Sequence, residues 1–210
     1  ARYGKGKPLD WKAIGGALFR YDPNSLLHGC FLANLEDGRV KVPRALSGFV
    51  VAEGIKDAVS GGVKFNPIDP SGKLRSASYD KDVYGNVPFQ RVEYTASRIT
   101  SYFSLDLSLL RGYSLPQEAF ELLVALGLFK LQGFLKSGTR LRTACDLVPS
   151  GGLASNVEGF KMPAQEGLRS LVKERIAACR EKNLFATPAV RLIEVKAVRK
   201  DSGSQEEEAA

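Results

Sequence analysis

The order of its elements predicts an α+β fold of the split β-α-β-β-α-β, ferredoxin-like kind, with long loop insertions and a C-terminal helix–strand extension. Three observations carry that expectation. Residues 98–110, "RITSYFSLDLSLL", alternate with period two, as a half-buried strand does. Residues 116–138 carry the strongest helix signature, with Pro116 to start it, leucines to pack it and Gly138 to end it. With these two in place the whole order reads strand, helix, long loop, two strands, helix, strand, then an extra helix and strand.

Taken in sequence, residues 9–20 predict a short helix with Leu9, Ile14, Ala17 and Leu18 inward. "YDPNS" is a turn, because Asp-Pro disfavours continued helix. "LLHGCFLANL" (26–35) predicts a buried strand, followed by a hairpin-like Asp-Gly. In 42–59, Leu46, Phe49, Val50 and Ile55 fall near helical spacing behind a first-turn Pro43. Residues 60–90 are rich in Gly, Pro, Ser and charge and predict a long loop, a feature that usually carries function. After the strand and the long helix comes "TRLRTACDLV", whose Arg140, Arg142 and Asp146 share one strand face. A glycine-rich link (151–159), an amphipathic helix near 164–182 and a last strand, "VRLIEVKAV", complete the order. The expected organisation is a core over 1–148 with a loop insertion at 60–90, a helix and strand packing on it over 149–200, and a disordered acidic tail at 201–210.

Charge is the most informative bulk property. The 210 residues carry a net charge of +7, and the last ten hold four acids and no base. Without them, 30 bases face 19 acids, a surplus of +11 on the first 200 residues. Such a surplus favours a polyanionic partner, nucleic acid above all; a basic protein without such a partner is the plainer reading. No apolar run is long enough for a membrane span, and the opening "ARYGKGKPLDW" has no apolar stretch of a secretory signal. The sequence does not open on Met, so residues ahead of it are expected. Cys30, Cys145 and Cys179 are widely spaced inside apolar patterns and read as reduced core thiols of a cytoplasmic protein. With one histidine and no CxxC, neither a structural metal site nor a cofactor is expected.

Four groups of residues bear on binding. Ser60, Gly61, Gly62 and Lys64, in "SGGVK", read as a glycine turn after a helix, either a plain C-cap or a cradle whose N–H groups hold a phosphate beside a cation. The stretch is not a Walker P-loop, which needs GxxxxGK[ST] between strand and helix. Arg44 and Ser47, three apart at a helix start, offer a second phosphate grip, or simply a cap and a solvated arginine. Arg140 and Arg142 offer a third, and Arg91, Arg98 and Arg111 add to the basic side. Phe65, Tyr84 and Phe89 in the long loop supply aromatics for a wedge between bases, unless they tuck back onto the domain. His28 is the only candidate general base, with a packed structural imidazole as the alternative, and the acids show no metal-binding pattern.

"DPNSLLHG", "VPRALSGFVVAEGI", "AVSGGVK", "YGNVPFQRVEYTASRITSYFSLDLSLLRGY" and "LFKLQGFLKSGTRLRTACDL" together resemble one family. It is the backbone subunit of type I-G (formerly I-U) CRISPR surveillance complexes (Cascade), a Cas-seven-like crRNA-binding protein of the RAMP superfamily. The likeness runs from about Leu9 to Leu147 and is most specific from Tyr84 to Asp146. The resemblance implies an RRM-like RAMP fold and a protein that polymerises as a helical filament along one CRISPR RNA. It implies a grip on the RNA backbone that ignores sequence, target DNA recognised through guide pairing, and a thumb-like hairpin that interrupts the guide. It implies further partners in the large subunit and a Cas-five/Cas-six-like subunit, and no nuclease activity. The alternative is a RAMP-type CRISPR RNA-processing endoribonuclease using His28. The family's usual N-terminal strand and helix have no counterpart in this sequence, which starts after them or lacks them. On this reading "SGGVK" cradles the sugar-phosphate backbone of a guide RNA.

Overall fold

Asp10 opens the first helix, α1 (Trp11–Tyr21), by accepting the Ala13 N–H at 3.0 Å. The structure is a computed structural model describing residues 8–35, 38–64, 87–139 and 145–188. Its chain contacts divide it into two units, one formed by Leu46–Ser104 and the other by the sequence on either side.

In the flanking unit, α1 buries Ile14, Gly15 and Phe19. Gly15 is required there, since a Cβ would stand 2.8 Å from the Tyr113 ring. The predicted inward face is therefore rotated: Leu9 and Ala17 are exposed and Phe19 takes their place. Asp22 then redirects the chain by accepting from Asn24 N at 3.1 Å and Ser25 Oγ at 2.6 Å. That grip nucleates a short helix, α2 (Asn24–His28), where a strand was expected from Leu26. Leu26 and Leu27 are fully buried on it. Gly29, at φ +76°, turns the chain into strand β1 (Cys30–Leu35). β1 pairs antiparallel with β2 (Gly38–Val42), and Val40 and Val42 are buried.

Helix α3 (Leu107–Gly112) also replaces expected strand. The alternation of 98–110 holds only to Leu105, because Asp106 caps a helix by accepting from Leu109 N at 2.8 Å. The long helix α4 (Gln117–Lys136) forms as predicted and buries Ala119, Leu122, Leu123, Ala125 and Gly127. Beyond Gly138, at φ +73°, Thr139 and Leu147 exchange two backbone hydrogen bonds, the ends of the predicted strand. Residues 140–144 lie outside the described residues.

Helix α5 (Gln165–Glu181) forms as predicted and packs along α4 through Leu168, Val172 and Cys179. Arg175 reaches Glu121 of α4 at 2.5 Å, and Lys182 lies 3.7 Å from Glu118. The chain then returns to α1, where Ala186 N donates to Arg20 O at 3.0 Å and Phe185 stacks on Phe19. The predicted last strand and the acidic tail lie outside the described residues. All three cysteines are free. Cys179 is a core thiol, with burial pushing its pKa up to about 11. Cys145 is exposed, contrary to expectation.

Every described element of the other unit is a strand. Strands β3 (Leu46–Glu53), β4 (Lys56–Lys64), β5 (Val87–Thr95) and β6 (Arg98–Leu105) form two successive ladders, β3 with β6 and β4 with β5. The helix expected over 42–59 does not form. Phe49, Val50, Val51, Val59 and Val63 favour pleated backbone, while Gly48, Gly54, Gly61 and Gly62 weaken a helix. The ladders meet where Gly54 turns at φ +62° and Ser97 donates to Glu53 O through both its N–H, at 2.9 Å, and its hydroxyl, at 3.0 Å.

The protein is thus α+β, with small antiparallel sheets and helices compatible with an RRM-like or ferredoxin-like fold. Among the described residues the strands pair two by two. No described helix is long and apolar enough to cross a membrane.

Leu168 makes the α4–α5 packing a test of the core. Leu168→Ala should lower stability by about 2–5 kcal/mol in urea unfolding, the range for a fully buried leucine. A change within ~0.5 kcal/mol, ordinary for a surface site, would place α5 outside the cooperative core.

Candidate nucleic-acid interface

Opposed residues of an antiparallel ladder share a face, and alternate residues point to opposite faces. In β4 and β5 the register runs from Lys56↔Thr95 to Lys64↔Val87. One face therefore carries Lys56, Ser60, Gly62, Lys64, Phe89, Arg91 and Glu93. The other carries Asp57, Val59, Gly61, Val63, Gln90, Val92 and Tyr94. The first is basic and polar; the second is mostly apolar, with Val59 66% and Tyr94 68% exposed.

On the basic face Lys64 Nζ lies 5.8 Å from the centre of the Phe89 ring, within cation–π range. Gly62 makes room for that ring, since a Cβ would meet it at 3.2 Å. Gly61 faces the other way, and a Cβ there would stand 3.0 Å from Phe89 O. The glycines of "SGGVK" thus serve close cross-strand approach inside a strand. The turn and its nest of N–H groups, expected after a helix, are absent. Arg91 Nε lies 3.0 Å from Glu93 Oε1, with the two side chains 62% and 35% exposed. Such a surface pair holds little energy and leaves the other guanidinium donors available to an anion.

The β3–β6 ladder carries its own pairing. Phe49 stacks on Tyr102, with ring centres 5.0 Å apart and planes at 19°. Further along, Arg98 Nε lies 4.0 Å from Glu53 Oε2. Ser47 is exposed in β3, while Arg44 is exposed in the connection before it. The expected Arg44–Ser47 pair on one helix face is therefore not formed. Arg111 stands on α3 over the Phe120 ring at 5.2 Å, apart from the strand arginines in sequence and element. Arg140, Arg142, Phe65 and Tyr84 lie outside the described residues.

His28 ends α2 and is exposed, so it is not the packed strand histidine of the plainer sequence reading. Lys130 of α4 places Nζ 2.7 Å from His28 Nε2. An ammonium can only donate, so Nε2 accepts and the ring proton sits on Nδ1. Desolvation and the Lys130 charge lower the His28 pKa, against a smaller opposing pull from Asp22. Desolvation likewise lowers that of Lys130, and Asp22 again opposes it. Among the described residues no group of His, Cys, Asp and Glu is placed to hold a metal ion.

The structure gathers Ser60, Gly62, Lys64, Phe89 and Arg91 on one face. Sequence reading missed Lys56, Phe49, Tyr102 and Lys130. The period-two alternation of 87–95, with Phe89, Arg91 and Glu93 set against Gln90, Val92 and Tyr94, was the signal for the ladder.

Residues 7–57, 51 of the 210, match the family model of CRISPR-associated protein GSU0053. The matched stretch runs from just before α1 through β3 to the first residues of β4. No curated protein matches the chain. The match supports a role in a CRISPR-Cas system.

The lowered His28 pKa has a sign that titration reads. Below the unfolded value near 6.5 the unfolded chain takes up a proton that the folded chain resists, so stability falls with pH. The decline sets in near pH 6.5 and levels off below the folded pKa. His28→Gln, which can still accept from Lys130, should decline less than wild type between pH 7.5 and 5. An equal or larger decline in the variant, by urea midpoint, would contradict the assignment.

Proposed function

We propose that this chain is the RNA-binding backbone subunit of a type I CRISPR interference complex, gripping guide RNA through its sugar-phosphate backbone. The observation that carries the proposal is the register of β4 and β5, which sets Lys56, Ser60, Lys64 and Arg91 on one face beside Phe89. Cations on a pleated surface meet phosphates without reading base edges, which fixes register but not sequence. A guide-holding subunit needs that property, because guides differ and pairing reads the target. The net charge of +7 and the family-model match agree with the reading. Its partners would be CRISPR RNA, target DNA through guide pairing, further copies of the chain along the guide, and the other subunits of the complex. The 46–104 ribbon would play the part of the family's thumb-like hairpin.

The exposed, neutral imidazole of His28 favours one other reading, an endoribonuclease that processes repeat RNA.

One binding experiment on the full chain separates the outcomes. Two unrelated single-stranded RNAs of equal length should bind alike at equal salt. Lys64→Ala and Arg91→Ala should each weaken both equally and shallow the salt slope by ~0.7 for every phosphate no longer neutralised. Failure of the full chain to bind RNA, or unchanged slopes in both variants, would overturn the proposal. Cutting of repeat RNA that His28→Ala abolishes would replace it with the endoribonuclease.

A further inference from the structure

Phe49 and Tyr102 are 63% and 49% exposed, and among the described residues the ladder that holds them has two strands. A cross-strand aromatic pair normally leans on a third strand or a core, and among the described residues this one has neither in its sheet. Each ring uses one face on the other ring, and both residues keep about half or more of their surface in water. The neighbours on the same face are Ser47, Val51, Thr100 and Ser104, none of them aromatic or charged. Arg98, on this face as well, is 73% exposed, and its 4.0 Å approach to Glu53 is too long for a hydrogen bond. Flat apolar surface and an exposed guanidinium held only by a long ion pair match the needs of an unpaired nucleotide, whose base stacks and whose phosphate pairs.

We propose that Phe49 and Tyr102 form a stacking platform for one unpaired base of single-stranded RNA, with Arg98 serving the adjoining phosphate. The platform rests on the reading of the ribbon as RNA-binding and adds to it a base-stacking site distinct from the Lys64–Phe89 face. Every base presents a π-face, so the site tolerates any sequence and is compatible with a subunit that must accept any guide. It also covers aromatic surface that the ribbon leaves in water. A cross-strand pair that only stiffens the ladder is the competing account.

The test uses the full chain and short single-stranded oligouridylates carrying 2-aminopurine at one position, moved along the oligomer in turn. Stacking on an aromatic ring quenches 2-aminopurine emission. Wild type should quench it at one or more positions. Phe49→Leu/Tyr102→Leu, which keeps apolar bulk on the strands, should abolish the quenching and weaken binding about tenfold, ~1.4 kcal/mol. Tyr102→Phe should retain both. RNA binding that depends on Lys64 and Arg91, with no quenching by wild type at any position, would overturn the platform and leave the backbone grip standing. Quenching and affinity unchanged in the double variant would do the same. No RNA binding by wild type would defeat the underlying reading, and the platform with it.

Discussion

A two-stranded β-ribbon has two faces and no interior. The described residues of the 46–104 unit are under that constraint throughout, and none of them is buried. Burial of apolar side chains, the main source of stability elsewhere in a fold, is denied to it. An isolated hairpin of this kind is marginally stable in water, and three or more strands or a packed helix are normally needed. What holds it together is local: nine paired positions in β4–β5, the Phe49–Tyr102 stack, and the double grip of Ser97 on Glu53 O. A surface so built gains most from a ligand that covers it. The register of β4 and β5 divides it into a cationic face and an apolar face.

The flanking unit solves the opposite problem. There α4 collects Leu122 and Leu123, α2 contributes Leu26 and Leu27, and α5 closes the layer with Leu168. Ion pairs from Arg175 and Lys182 line the edge of that packing, where exposure keeps their contribution small. Polar caps set the element boundaries: Asp10, Asp22 and Asp106 each accept backbone N–H groups at a helix start. The buried apolar side chains lie in this unit, and the exposed cationic and apolar strand faces in the other.

How far the sequence disclosed this follows from how local each signal was. Helices α4 and α5 were legible because their apolar spacing is long, and the ends of α4 are marked by Pro116 and Gly138. The ribbon was not, because Leu46, Phe49 and Val50 happen to fall three and four apart, which imitates a helix over a stretch that strand-forming residues dominate. Asp22 and Asp106 turned expected strand into helix through side-chain bonds that periodicity does not register. Within the site, Ser60 and Lys64 were singled out for a glycine turn that does not exist, Phe89 for a wedge in a long loop and Arg91 for a basic side. They nevertheless converge, because β5 pairs with β4 in the one register that aligns them. Cross-strand partners so distant in sequence leave no local trace. For the same reason Phe49 gave no hint of Tyr102, nor His28 of Lys130.

Amide hydrogen exchange across the ribbon, with and without single-stranded RNA, tests the central claim most directly. A ladder with no buried side chain opens readily, so the amides of 56–64 and 87–95 should exchange fast in the free protein. If the basic face of β4–β5 grips the RNA backbone, those amides should slow markedly on binding, whatever the RNA sequence, while buried α4 changes little. RNA that binds the chain yet leaves exchange in both strands unchanged would contradict the account.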